Sequence, residues 1–322
     1  MSGLRLATAV CGGLIFLFAG ADTFAATRNC TAEERKLADV RLKEIAADAD
    51  LRGALLRQHL RFGVHEAVGH AANEEILVQG GYVMNHDRDL LTALWVSYLL
   101  TAQDLTDAAG KDRVNCFRPD PRMKAADTAD PSDYNEPRYD QGHMTNDADL
   151  KDDVIEQINS YVMSNMSPQE CRFNRGIWLS LEHLTRAWAS KYGTLYITSG
   201  AIFDRNNDLR RDDDSKARRM KSRNGKKRVG VPSHYYKIFL RQDGDGFRSI
   251  AFLLTHTNRR HGVKWADVRP DVQRTVVTIA RIEDKADLRI HPQLQRNRVT
   301  QSSAGEDWDF SPGKSNLEAG CD

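Results

Sequence analysis

Four residues close together in the chain could do chemistry as a set: His143, Asn165, Asn174 and Glu182. A neutral imidazole titrates near pH ~6.5, so His143 can take a proton from water without a large shift. Asn174 can give a hard metal ion a neutral oxygen ligand, and Glu182 can orient the water that such an ion carries. Water activated by a base beside a hydrated divalent cation is one way to break a phosphodiester. Glu182 lies eight residues after Asn174. In a helix that is a little over two turns, which puts both side chains on one face. Asn174 also suits a helix N-cap, and the two roles coexist where a helix start faces the metal. Asn165 is the candidate for holding the turn between these parts. Arg118 is the candidate cation at the scissile phosphate, with Arg122 and Arg138 behind it.

These residues sit in three ordered motifs: Asp140-Gln-Gly-His143, Asn165-Met-Ser-Pro-Gln169, and Asn174-Arg-Gly-Ile-Trp178 leading to Leu181-Glu182. Upstream come Trp95-Val-Ser-Tyr-Leu-Leu-Thr101, Phe117-Arg-Pro-Asp120 and Asp133-Tyr134. Downstream come Tyr196-Ile-Thr-Ser-Gly200 and Val231-Pro-Ser-His-Tyr-Tyr-Lys237. From roughly Leu91 to Leu294 this series resembles the DNA/RNA non-specific endonucleases with the ββα-metal fold, whose hallmark is Asp-Arg-Gly-His. The resemblance implies an α+β fold: a ββα-metal core on a mainly antiparallel sheet with flanking helices. It further implies that His143 activates water and that Asn174 ligates a divalent ion, Mg2+ with Mn2+ able to substitute. Glu182 would bond to that ion's water, and Asp140 and Gln141 would sit beside the reaction centre. Substrates would be DNA and RNA, held through the phosphate backbone and left with 5′-phosphate ends; a homodimer stays open. One departure stands out, because Gln141 occupies the place of the family's arginine. Glutamine donates a hydrogen bond but cannot neutralise a phosphate. That residue alone supports a rival reading, a catalytically weak or inactive nucleic-acid-binding protein on the same scaffold. Action on some other phosphodiester is a third.

The chain has 322 residues and a formal net charge of +1, enough length for one large domain with an extension. The total charge does not announce a nucleic-acid binder, but its distribution says more. Lys216, Arg218, Arg219, Lys221, Arg223, Lys226, Lys227 and Arg228 fall in one stretch with no acidic residue. Rimming a cleft, that stretch would attract phosphates without reading sequence; otherwise it is a solvated excursion. At the other end, Arg5 precedes an apolar run from Ala7 to Gly20, and Thr23-Phe-Ala25 offers a cleavage site. Residues 1–25 therefore read as a signal peptide, with a secreted or periplasmic product and no membrane span after cleavage. Cleavage would remove Cys11 and leave Cys30, Cys116, Cys171 and Cys321, an even number that suggests two disulfides among three connectivities.

Thr31-Ala-Glu-Glu34 has the form of a capping box opening a helical stretch to about Phe62, and residues 28–80 read as a helical N-terminal extension. Residues 81–322 would then be the catalytic domain. Short β-branched or aromatic runs predict strands at 93–100, 195–199, 235–240, 249–255 and 275–279, with helices at 152–163 and 174–191. Beyond Pro292 the chain turns polar and reads as a loosely held tail that Cys321 could pin. Two other signals carry less. His65 and His70 are five apart, not the four that a helical zinc site needs. Asp204-Arg-Asn-Asn-Asp208 alternates oxygen ligands as a calcium loop does but lacks the glycine of the sharp turn.

Overall fold

Strands form where the β-branched and aromatic runs occur in the computed structural model, which describes residues 26–69, 73–221, 228–302, 307–314 and 316–321. The expected signal segment, residues 1–25, lies outside that description. The main sheet uses β1 (Glu74–Val78), β2 (Val83–Asp87), β3 (Thr92–Thr101), β6 (Thr194–Ile202), β7 (His234–Asp243) and β8 (Gly246–Thr255), with β4 and β5 forming a separate hairpin. Its order is Val276–Val277, β8, β7, β6, β3, β2, β1, antiparallel throughout, and Val299–Gln301 adds a parallel partner to β8. The central strands are buried on both faces, because helices and that hairpin cover them. Close approach fixes one glycine. A Cβ on Gly200 would fall 2.2 Å from the Tyr236 ring on the neighbouring strand.

The three motifs fall on a hairpin followed by a helix. Strand β4 (Tyr139–His143) pairs antiparallel with β5 (Met166–Glu170), placing His143 opposite Met166 and Asp140 opposite Gln169. The chain then turns into a π-helical segment, Phe173–Trp178, continuous with helix α3 (Leu179–Tyr192). This β–β–α unit packs on an antiparallel sheet, and the architecture is α+β as expected.

Five expectations need correction. The N-terminal helix does not run unbroken to Phe62. Thr31 and Glu34 form the capping box of α1 (Ala32–Ala47), but Asp48 then accepts from the N–H groups of Asp50 and Leu51 and starts α2 (Ala49–His59). Nor is the extension helical to residue 80, because β1 within it is the edge strand of the main sheet. Leu42, Ile45 and Leu55 pack into the main core, and Cys30–Cys116 ties the segment down. The run at 275–279 gives only Val276–Val277 as strand. Thr278 accepts from the Arg281 N–H and caps α5 (Ile279–Ala286), which follows α4 (Trp265–Arg274); here a cap outweighs β-propensity. The helix expected at 152–163 is only Val154–Asn159.

The tail is the fifth. Trp308, Phe310 and Leu317 are buried, and Trp188 donates its indole N–H to Asp309 O at 2.6 Å. Cys321 bonds Cys171, so of the three pairings the chain uses Cys30–Cys116 and Cys171–Cys321. Trp308 stacks within 4.7 Å of Trp188. Trp308→Ala should therefore cost about 3–5 kcal/mol, read as a lower urea midpoint at unchanged slope; a loss under about 1 kcal/mol would show that the tail is not part of the core.

Candidate active site

His143 ends β4 inside a cavity of about 580 Å3 that Asn146, Asn174 and Glu182 also line. The residue is 8% exposed, its ring sits edge-on to Tyr161 at 4.6 Å, and its carbonyl accepts the Trp178 indole N–H at 3.2 Å. Its Nε2 is buried without a hydrogen-bond partner. Burial pulls the imidazole down to about 4, partly opposed by Asp147 and reinforced by Arg113. At neutral pH it is therefore uncharged and able to accept a proton.

Asn165 organises the turn around it. Its Oδ1 accepts the Thr145 N–H at 2.9 Å, and its Nδ2 donates to the carbonyls of Thr145 and Ser160 at 3.0 and 2.7 Å. These bonds fix the strand exit that carries His143 and Asn146.

Asn174 does not cap a helix, since it lies inside the π-helical segment. Its Nδ2 donates to Asp140 Oδ2 at 2.9 Å, and the Arg175 guanidinium grips both oxygens of the same carboxylate at 2.8 Å each. With the amide nitrogen committed to Asp140, Oδ1 is the atom left to ligate. Glu182, on α3, reaches the same cavity across the turn. Burial pushes its carboxyl up to about 7, against the pull of Lys237 and Arg186 and a hydrogen bond from Asn146. Beneath it lies a buried charge network that the sequence did not reveal. Asp149 pairs with Arg186 at 2.9 Å and accepts from Tyr98 at 2.8 Å, while the fully buried Lys237 ammonium lies 4.7 Å over the Trp178 ring.

A hard divalent ion fits these donors. Asn174 Oδ1 and the Glu182 carboxylate, which line one cavity, are oxygens, the donors that such an ion prefers. Among the described residues no three His, Cys, Asp or Glu side chains converge to cage a metal. The set suits an ion that keeps most of its water, as Mg2+ does.

Arg118 is not at this site. It is buried, with Nε on Asp39 at 2.7 Å, Nη1 on the carbonyls of Cys116 and Ile158, and Nη2 on Asn159 at 2.8 Å. It pins α1 to the core, and its hydrogen-bonding capacity is spent there. Arg122 is buried on Asp120, and Arg138 pairs with Glu170. The cations lining the cavity are Arg113, Arg175 and Lys314. Arg113 bonds Asp147 at 2.9 and 3.1 Å and the Tyr161 hydroxyl at 2.9 Å. Sequence reasoning missed it because nothing local marks it; Asp147 and Tyr161 are remote. Gln141 lines the cavity and donates to Pro131 O at 3.2 Å.

The basic stretch divides. Arg223, Lys226 and Lys227 lie outside the described residues. Lys216 pairs with Asp213 at 3.3 Å, and Arg219 is engaged by Asp89. Arg218 lies 5.8 Å over the Tyr139 ring and lines a neighbouring cavity with Glu170 and His256. The Lys221 N–H donates to Glu136, and the Arg228 carbonyl accepts from Arg219. The calcium-loop candidate is occupied internally, because Lys285 pairs with Asp204 in the buried interior. His65 precedes a short strand and bonds Ser97 at 2.9 Å, not a helical metal site; His70 lies outside the described residues.

Known nucleases resemble this chain in sequence and in fold. A family model described as DNA/RNA non-specific endonuclease matches residues 64–297. The chain is 26% identical over 249 residues to the mitochondrial nuclease EXOG of Danio rerio, spanning 75% of this chain and 69% of that one. It is 30% identical over 183 residues to nuclease C1 of Cunninghamella echinulata var. echinulata (56% and 71%). It is 26% identical over 218 residues to a nuclease of Serratia marcescens (66% and 73%). Its fold is similar to a solved structure described as the EndoG/EndoGI complex, with a TM-score of 0.63 and 21% identity over 78% of this chain and 97% of that one.

Proposed function

Because the chain belongs to the DNA/RNA non-specific endonuclease family, and so is an enzyme that hydrolyses phosphodiester bonds, we propose the division of labour among its residues. His143 takes the proton from the attacking water. Asn174 Oδ1 ligates a divalent ion, Mg2+ with Mn2+ able to substitute, and Glu182 accepts from that ion's water. Bound there, the ion would supply charge stabilisation at the phosphate and the leaving oxygen. Asp140 turns the Asn174 amide to present its oxygen. Arg113, held on Asp147 and the Tyr161 hydroxyl, keeps positive charge on the cavity wall that Arg118 does not reach. DNA and RNA both serve as substrates through their backbones, with the basic stretch around Arg218 as an outer phosphate contact, and the cut leaves 5′-phosphate ends. The observation that carries this reading is the neutral His143, lining one cavity with Asn174 and Glu182, its buried Nε2 without a hydrogen-bond partner among the described residues.

Incubation of supercoiled plasmid and of an RNA transcript with Mg2+, Mn2+ or EDTA tests it. Both should be cut with metal and neither in EDTA. DNA retained on a gel yet uncut in Mg2+ would replace the catalytic assignment with a binding one. Asn174→Ala should raise the Mg2+ concentration for half-maximal rate by about 10–100-fold with little change in KM for DNA. An unchanged Mg2+ titration would remove Asn174 from the ligand set.

Export to an oxidising compartment is the third part of the proposal. All four cysteines among the described residues are paired, a usage typical of exported chains. Free thiols found by alkylating the native protein would oppose it.

A further inference from the structure

The C-terminal tail carries one charged side chain into the catalytic cavity. Lys314 lines it together with His143, Asn174 and Glu182, yet it lies beyond residue 297, where the family match ends. The chain is anchored on both sides of it. Upstream, Trp308 and Phe310 are buried, and the Trp265 indole N–H donates to Phe310 O at 3.0 Å. Gly313 crosses Trp265 so closely that a Cβ there would fall 1.9 Å from the indole. Downstream, Leu317 is fully buried with its N–H on Val263 O at 3.1 Å, and Cys321 is bonded to Cys171.

The three cations on the cavity wall are not equivalent. Arg113 is spent on Asp147, and Arg175 on Asp140. Lys314 makes no ion pair among the described residues. Burial, then the like charge of Arg186, lowers its proton affinity, and Glu182 only partly offsets this. Across the cavity Gln141 contributes a neutral amide already committed to Pro131 O. An ammonium carried on the cavity wall by a fastened tail, unpaired among the described residues, lacks one thing, an anion.

We propose that Lys314 binds the nucleic-acid backbone at the cleavage site, so that the C-terminal tail supplies the one positive charge on the cavity wall that is uncommitted among the described residues. The inference rests on the nuclease reading for its ligand class. Nζ donates to a non-bridging phosphate oxygen, a charge-assisted bond roughly twice as strong as a neutral one.

The test compares Lys314→Ala, Lys314→Arg and Lys314→Ala combined with Gln141→Arg. Plasmid nicking is read in Mg2+, and binding of a short duplex in EDTA is read across salt. Lys314→Ala should lower kcat/KM by about 10–100-fold. It should also reduce the slope of log affinity against log salt by about one. Lys314→Arg should keep most of the rate. The added arginine at 141 should recover part of the alanine loss, because it returns charge to the same cavity from another wall. A purely structural lysine would move neither the salt slope nor that rescue. An alanine variant with wild-type kcat/KM and salt slope would overturn the proposal, as would an arginine variant that folds but fails like alanine. If wild type never cuts, the nuclease reading falls, while the salt slope in EDTA still decides whether Lys314 holds phosphate.

Discussion

His143→Ala should lower the nicking rate at pH 7.5 and saturating Mg2+ by about 10²–10⁴-fold, the usual loss on removing a general base. The expectation comes from its surroundings. Phe117 and Tyr161 pack around the ring, Nε2 has no protein partner, and burial keeps the imidazole neutral well below physiological pH. A base that is already desolvated and unprotonated needs no rearrangement before it accepts. The same packing means that alanine leaves a small void, so circular dichroism and binding of duplex in EDTA should accompany the kinetics. Residual activity above a tenth of wild type, in a variant that folds and binds, would rule out the role.

Acid should unfold this protein early. His65, His143, His183, His234 and His256 are held down at about 3, 4, 3, 4 and 4, and His59, His86 and His291 are lowered too, burial being the first cause in every case. In the unfolded chain each titrates near ~6.5. The stability such a neutral histidine contributes is present above that value and lost as pH falls towards its folded value. Each group then withdraws stability over that window, because the unfolded chain binds the proton first. Glu182, Asp87, Glu156 and Asp152 act the other way, since burial raises them and acid favours their folded form. Eight groups against four leave a net loss. The urea midpoint should fall steeply from pH 7 to pH 5, with proton uptake on unfolding; a flat midpoint over that range would contradict the histidines' placement. Because His143 itself protonates only near 4, activity lost between pH 6 and 5 should track unfolding and not base protonation.

What was legible in the sequence was local. His143, Asn165, Asn174 and Glu182 belong to one hairpin and the helix after it, so their order along the chain predicts their meeting in space. The long strands were legible because their apolar runs are buried on both faces. Arg118 misled because an arginine beside a Pro-Asp loop looks available, and only the distant Asp39 and Asn159 reveal that it is consumed. Arg113, Asp149, Lys237 and Lys314 enter from four separate segments, and no spacing rule joins them. The tail misled by composition. Its polar residues outnumber Trp308, Phe310 and Leu317, but those three decide where it goes.

The two disulfides also bear on where this enzyme is stable. Each closes a long stretch of chain, 86 and 150 residues in sequence separation. In the chain-entropy description bridges of that span stabilise by roughly 4–5 kcal/mol each, set against a typical domain total of about 5–15 kcal/mol. They also stand at the cleft's edges. Cys116 precedes Phe117, Cys171 opens the turn that carries Asn174, and the Gly320 carbonyl beside Cys321 accepts from Arg175. A newly made chain whose thiols are still reduced lacks both fastenings and most of its stability margin. Surroundings that keep these thiols reduced should therefore hold the chain nearer its unfolding threshold than surroundings in which both bridges form.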